Sequence, residues 1–368
     1  MKVTMGPSSS SIPGQYIVRL KQGTSAFGAV IPLGVQPLYT YQHVVKGFAA
    51  RLTPSEPSEV RSDPAVAAIE QDALAHAFDS PPRPAGPVMR VPPAGSTTSW
   101  GLDRIDQRRL PLNHLFNSTH TGAGVTAYMI DSGIDPANSQ FTGRIVPGYS
   151  NVNDGYGTND CLGHGTMTAG IVGGTTWGVA RAVKLSPVRV LGCDGTGTFS
   201  QIIAAFDWVA AHAVKPAVAN VSLGGPRSDA ANAAAALADS GVFVSVAAGN
   251  NSADACGTSP ASAPRVLTVG ASTITDDLAS FSNVGTCVDV ITPGSNILSA
   301  RRGGGSTSGS GTSFASPYAT GVAALYKQTY GDHATASVLK WVVGATTPGV
   351  LKGLPTGTSN SLLYTAGL

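Results

Sequence analysis

Apolar and polar positions change rhythm twice along this chain. In residues 15–77 the pattern is short and alternating. Gln15-Tyr16-Ile17-Val18-Arg19-Leu20 reads as a half-buried strand, residues 46–52 as a second and residues 66–70 as a third. Residues 55–62 suit a short helix with Pro57 in its first turn. A further helix is placed between Gly23 and Leu38, although Gly28, Pro32 and Gly34 fall inside that stretch. These elements predict a small α+β domain over 15–77.

The rhythm stops at residues 78–98. Pro81, Pro82, Pro84, Pro87, Pro92 and Pro93 crowd this stretch, which can pack neither as helix nor as sheet and is expected to be an extended linker. It is either a passive tether or a processing site. From residue 99 to the C-terminus, strands and helices alternate. Strands are expected at 125–130, 183–191, 217–223, 242–248, 266–271 and 287–291, and helices at 201–214, 229–239, after Ser313 and at 335–343. That order predicts an α/β domain over 99–368, a mostly parallel sheet with helices on both faces and with its sites beyond the carboxyl ends of the strands.

Composition narrows the picture. With 12% charged residues, a formal net charge of +2 and no basic block, the chain gives no sign of nucleic-acid binding. No apolar run reaches the roughly 18 residues of a membrane span. Residues 1–11 lack the apolar stretch of a signal peptide, so either the signal is missing, the start is misassigned, or export does not use that route. Cys161, Cys193, Cys256 and Cys287 show no Cys-x-x-Cys spacing, which argues against zinc. An even count suits two disulfides and an oxidising compartment, with three pairings open.

The candidate chemistry centres on Gly311-Thr312-Ser313-Phe314-Ala315-Ser316-Pro317, where a glycine-rich run meets an apolar helix. Ser313 is thereby placed at a helix N-terminus, among free N–H groups. A serine hydroxyl needs a base, a group that orients the base, and donors for an oxyanion. His164, alone of the seven histidines, lies between glycines, in Gly163-His164-Gly165. Asp131 follows an apolar strand and precedes Ser132-Gly133, and Asn250 follows another strand through Gly249. Any one of these could be an ordinary capping or turn residue. Together they run in the order Asp, His, Ser.

The motifs Asp131-Ser132-Gly133, His164-Gly165-Thr166, Ser222-Leu223-Gly224-Gly225, Ala247-Ala248-Gly249-Asn250 and Gly311-Thr312-Ser313-x-Ala315-x-Pro317 resemble those of the subtilases. Within that family they are most similar to the secreted bacterial proteinase K-like enzymes of the aqualysin type. Tyr16-Ile17-Val18 and Gly47-Phe48-Ala49-Ala50 resemble the family's inhibitory propeptide.

The resemblance implies a subtilisin-like α/β fold preceded by a small α+β ferredoxin-like propeptide domain, and a secreted, monomeric serine endopeptidase, made as a zymogen that cuts itself between His76 and Ser99. Ser313 would be the nucleophile, His164 the base and Asp131 its orienting acid. Asn250 and the Ser313 N–H would form the oxyanion hole. A peptide would add as a strand between Gly195-Thr196-Gly197-Thr198 and Ser222-Leu223-Gly224, with apolar or aromatic residues favoured at P1, and the propeptide would be the intramolecular inhibitor. Pairs Cys161–Cys193 and Cys256–Cys287 are implied, each worth roughly 3–4 kcal/mol in the chain-entropy model.

A calcium ion (Ca2+) is expected on the carbonyls of Pro264 and Val266, aimed one way by extended backbone, and on the carboxylate of Asp289. Asp103, Asp106, Gln107 and Asn113 resemble a second such site, with Arg109 where relatives tend to carry an acid. Three positions depart from the family pattern: Met167 and Tyr318 replace usual histidines, and Phe314 a usual methionine. The departures at Met167 and Tyr318 suit either core packing or altered leaving-group subsites. The rival readings are a catalytically silent binding module and an esterase or acyltransferase.

Overall fold

The computed structural model describes residues 3–4, 10–24, 35–78 and 97–368. The helix expected between Gly23 and Leu38 and the proline-rich linker lie largely outside the described residues.

The N-terminal unit is a sheet of β1 (Val3–Thr4), β2 (Ser11–Leu20), β3 (Pro37–Tyr41), β4 (Gly47–Arg51) and β5 (Val66–Ala77), with helix α1 (Glu56–Ser62). β2 pairs antiparallel with both β4 and β5, and β3 extends the sheet beyond β4. Successive side chains of a strand face opposite ways. Val18 and Phe48 therefore pack with Val60 of α1 in the unit's own core. Ile17 and Ala49, one residue away, face the neighbouring α/β unit and join its core. Both faces of this small sheet are thus covered.

The strands that follow are β6 (Thr126–Asp131), β7 (Tyr149–Ser150), β8 (Lys184–Arg189), β9 (Thr196–Thr198), β10 (Ala217–Val221), β11 (Leu223–Pro226), β12 (Phe243–Ala247), β13 (Thr258–Ser259), β14 (Leu267–Ser272), β15 (Val290–Pro293), β16 (Ile297–Ala300), β17 (Ser306–Gly309), β18 (Thr347–Pro348) and β19 (Ser361–Leu362). The main sheet runs β18-β19-β15-β14-β12-β10-β6-β8-β7, parallel except at the β18–β19 edge. Helices α2 (Trp100–Asp106), α3 (His164–Gly173), α4 (Phe199–His212), α5 (Asp229–Ala234), α6 (Thr312–Tyr330) and α7 (Thr335–Ala345) accompany it.

The two-residue period of β6 divides the core. Ala127 and Met129 face the side of α3 and α6, while Tyr128 and Ile130 face the side of α4 and α5. The α/β class expected from the sequence is observed, with local differences. Residues 217–223 break at Ser222, so that β11 leaves the main sheet. The helix over 229–239 becomes α5 followed by a 3₁₀ turn, Ala235–Ser240. β5 extends to Ala77, well beyond Glu70. β6, β10 and β12 are parallel neighbours, so Asp131, Ser222 and the Ala248-Gly249-Asn250 turn emerge at one end of the sheet.

Candidate active site

Ser313 is the second residue of α6 and fully buried. Its hydroxyl donates to the Ser222 carbonyl (2.9 Å), and the Ser222 hydroxyl donates to the Ser313 carbonyl (2.7 Å). These bonds tie the start of α6 to the end of β10.

His164 opens α3. Gly163 before it has φ +102°, a left-handed conformation suited to glycine. Gly165 after it sits so close to the β6 turn that a Cβ would lie 2.1 Å from the Gly133 carbonyl oxygen and 3.2 Å from Asp131 Oδ1. This close approach brings His164 Nδ1 to 2.7 Å from Asp131 Oδ1, with both side chains buried. The Phe314 ring, next in sequence to Ser313, lies with its centroid 5.4 Å from that of the imidazole. The structure therefore brings together the starts of α3 and α6 and the end of β6, as the motifs imply.

A buried carboxylate missed in the sequence reading fixes the approach to α3. Asp160 accepts from the Leu162, Gly163 and Thr166 N–H groups and from the Ser132 and Thr166 hydroxyls. Ser132 Oγ in turn accepts the Gly165 N–H (2.9 Å), and the Ser132 N–H donates to Asp131 Oδ1 (2.7 Å). The four orphan donors of a helix start need such partners. The local signal for Asp160 is an aspartate within one turn of Gly163-His164, a feature common in ordinary loops.

Asn250 is oriented through its carbonyl end. Oδ1 accepts from the Thr312 N–H (2.9 Å) and hydroxyl (2.8 Å), which leaves the amide nitrogen directed away from Thr312. That nitrogen donates to the carbonyl of Phe78 (2.9 Å). The Phe78 N–H donates to Ser313 Oγ (3.1 Å).

Phe78 arrives there because the end of β5 fills the cleft as a strand. Leu74, Ala75 and His76 pair antiparallel with Thr198, Gly197 and Thr196 of β9, and the Ala77 N–H donates to the Gly195 carbonyl (3.0 Å). On the other side Ala77 and His76 pair antiparallel with Leu223 and Gly224 of β11. Both edges expected from the sequence are thus occupied. A Cβ at Gly224 would sit 2.7 Å from the Phe78 ring, so this glycine gives the aromatic side chain its room.

Three more carboxylates hold the two units together. Asp72 accepts from the Ser200 N–H (3.1 Å) in the first turn of α4 and from Gln15 (2.6 Å). Glu70 accepts from the Ala230 N–H (3.0 Å) in the first turn of α5. Negative charge is favoured at helix N-termini, yet burial raises the carboxyl pKa of both Asp72 and Glu70 despite these bonds. Asp207 of α4 gathers the backbone N–H groups of Gln42, His43 and Val44, at 3.0, 2.6 and 2.9 Å.

Both implied disulfides are present, Cys161–Cys193 and Cys256–Cys287, with Cα separations of 5.1 and 5.3 Å. The first joins the turn before His164 to the turn before β9. Buried Arg189 braces it, donating to the Ser132 carbonyl (3.1 Å), Asp154 (2.7 Å) and Cys161 Sγ (3.2 Å). Asp154 and these two sulfurs cluster, but sulfur in a disulfide is no thiolate and holds no metal.

The expected extended backbone at Pro264 and Val266 is not found. The segment is a turn, with Arg265 at φ +67°, so the strand-like reason for aiming the two carbonyls one way does not apply. Asp289 does lie alongside it. One of its oxygens accepts the Thr268 N–H (2.8 Å), and burial raises its carboxyl pKa. A largely buried carboxylate beside a carbonyl-bearing turn fits a hard cation.

At the second suspected set, polar groups bind their own loop. Asp103 accepts from the Asn113 and His114 N–H groups, Asp106 from Asn117, and Gln107 donates to Pro111. Met167 and Tyr318 both pack in the core. Tyr318 Oη lies 3.4 Å from Ser99 Oγ and fills the space a Cβ on Gly101 would need. A Cβ on Gly309 would meet Phe314 at 2.6 Å and Met167 at 3.1 Å, so Phe314 and Met167 pack with that glycine.

Residues 122–362 match the family model described as the subtilase family, and residues 32–77 match that of the peptidase inhibitor I9. The chain is 42% identical to an extracellular serine proteinase of Thermus sp. (strain Rt41A), an alignment that covers 96% of this chain and 90% of that protein. It is 45% identical to alkaline serine exoprotease A of Vibrio alginolyticus over 90% of this chain, and spans 60% of that relative's length. Among solved structures, a cold adapted subtilisin-like serine proteinase superposes with a TM-score of 0.70 at 47% identity, covering 72% of this chain and 97% of that one.

Proposed function

This chain belongs to the subtilase family of serine proteinases, and from that premise we propose that it is an endopeptidase made as a self-cleaving zymogen. Ser313 attacks the carbonyl carbon of a peptide bond, and its proton passes to Nε2 of His164. Asp131, on Nδ1, orients the imidazole and stabilises the imidazolium. The Asn250 amide and the Ser313 N–H receive the oxyanion. The imidazolium returns the proton to the leaving amine, and water, activated by the same base, then hydrolyses the acyl-serine.

One observation carries this reading. The Phe78 carbonyl accepts from Asn250 Nδ2 while Ser313 Oγ touches the same residue's N–H. Phe78 is thus presented as a P1 residue, with its ring against Gly224. The bond cut in maturation is Phe78–Asp79, one residue into the linker (78–98) that joins the inhibitory domain (15–77) to the catalytic domain (99–368). The same pocket favours aromatic and large apolar residues at P1 of other protein substrates.

Purified full-length chain should separate into a fragment ending at Phe78 and one beginning at Asp79, as read by intact mass and N-terminal sequencing. Phe78→Asp should move or stop that cut, because it replaces the aromatic ring that packs on Gly224 with a carboxylate. A first cut elsewhere in the linker, with Phe78–Asp79 left whole, refutes this assignment.

The enzyme acts outside the cell. Support comes from the two disulfides, which suit an oxidising compartment, and from the Thermus relative named as extracellular. Among the described residues no helix is long and apolar enough to cross a membrane.

Asp289, with the carbonyls of Pro264 and Val266, would hold a structural calcium ion. At a free concentration about 100 times Kd the ion stabilises by about 2.7 kcal/mol, so a chelator should lower Tm by roughly 3–5 °C. Asp289→Asn should show the lower Tm with or without calcium. A chelator shift of equal size in that variant rules the site out.

A further inference from the structure

We infer that Thr168 is a positioning residue for the catalytic acid, so that one face of α3 holds both oxygens of the Asp131 carboxylate. This rests on the triad reading above. His164 and Thr168 stand at i and i+4 of α3, one above the other on the same helix face. His164 Nδ1 meets Asp131 Oδ1 at 2.7 Å, and Thr168 Oγ1 meets Asp131 Oδ2 at 3.2 Å. Thr168 and Asp131 are both fully buried, so no solvent competes for the contact.

The Thr168 hydroxyl has a single hydrogen and two acceptors within reach, Asp131 Oδ2 and the Gly165 carbonyl at 3.0 Å. A carbonyl within a helix already receives an N–H from four residues on. The ionised carboxylate is the stronger acceptor, because charge-assisted hydrogen bonds exceed neutral ones. The hydrogen therefore goes to Asp131. Its carboxylate is then held at three points: Ser132 N–H and His164 on Oδ1, and Thr168 on Oδ2.

This arrangement bears on the reaction in two ways. A carboxylate fixed in its plane keeps the imidazole ring aimed while Nε2 takes and returns the proton. A donor on Oδ2 also draws charge away from Oδ1, so the carboxylate stabilises the imidazolium less than a carboxylate without that donor would. Removing the hydroxyl should lower turnover and, at the same time, move the acid limb of the pH–rate profile to higher pH. Beside His164 lies the Phe314 ring of α6, and against the preceding Gly163 lie the Asp160 carboxylate and Arg302. None of these is altered by a change at residue 168.

The test compares wild type, Thr168→Val and Thr168→Ser, each expressed as the full chain and left to process itself, on a peptide amide with phenylalanine at P1, with His164→Ala expressed in the same way and read for self-cleavage and for the same turnover. Thr168→Val should lose about tenfold in kcat at unchanged KM. Its acid limb should rise by about half a pH unit, and Thr168→Ser should restore both. A Thr168→Val profile that superposes on wild type, or a serine variant that behaves like valine, overturns the role of Thr168 while an inactive His164→Ala leaves the triad standing. An active His164→Ala would instead overturn the triad reading itself. In a Ser313→Ala background, the downfield proton resonance of His164 Nδ1–H should shift on Thr168→Val. An unmoved resonance overturns the contact even if that variant processes poorly.

Discussion

Ser313→Ala should leave the chain whole at 368 residues and unable to digest casein. In the proposed mechanism, removing the hydroxyl deletes the group that forms the acyl intermediate, and neither the Asn250 amide nor the imidazole can replace it. A loss of about 10⁶ in kcat is expected, the magnitude known for loss of the nucleophilic serine in a subtilisin. The fold should survive, because the hydroxyl is a small group that donates one bond, to the Ser222 carbonyl. Self-cleavage is read by intact mass and turnover by casein digestion. Either activity surviving in the alanine variant removes Ser313 as nucleophile.

The second large effect is expected at Asn250. Asn250→Leu keeps the size of the side chain and removes the amide donor aimed at the Phe78 carbonyl. Turnover should fall by about 10²–10³ at nearly constant KM, the magnitude known for the oxyanion-hole asparagine of a subtilisin. The donor acts on charge that develops at the oxygen in the transition state, so the loss should fall on kcat. Thr312 sharpens the case, because it pins the other end of the amide. A loss below tenfold, or one confined to KM, would mean that Asn250 is only a turn residue.

The parts of the fold that can be foreseen are those whose chemistry coincides with a simple rhythm. The alternation in β2 and β4, the apolar run of β6 and the glycines around His164 each carry their own structural meaning. The site is legible because its members sit where strands end and helices begin, positions marked by glycine and small polar residues.

What escapes the sequence has identifiable causes. The pattern ends β5 at Glu70 because Glu70, Gln71 and Asp72 look like solvent-facing positions. They are buried, and two of them meet helix starts of the other unit. α2 hides for a similar reason, since Asp103 and Arg104 are buried within it and Arg104 pairs with Asp276. The β16–β17 hairpin passes for a glycine-rich lead-in to Ser313, because its short strands have little apolar alternation. The turn at Arg265 defeats any inference from two-residue spacing. Thr166 and Thr168 lie in a helix whose small residues give no hint of which hydroxyls face a carboxylate.

β5 pairs with β1 and β2 at one end and with β9 and β11 at the other, so the plug in the cleft is also a main beam of the unit that carries it. Severing the chain after Phe78 would leave the plug seated, and freeing the cleft would mean wrecking the plug's own scaffold. Onset of activity in a population should then lag behind the first cut and accelerate as early liberated molecules dismantle the plugs of their neighbours, with a delay that shortens as protein concentration rises.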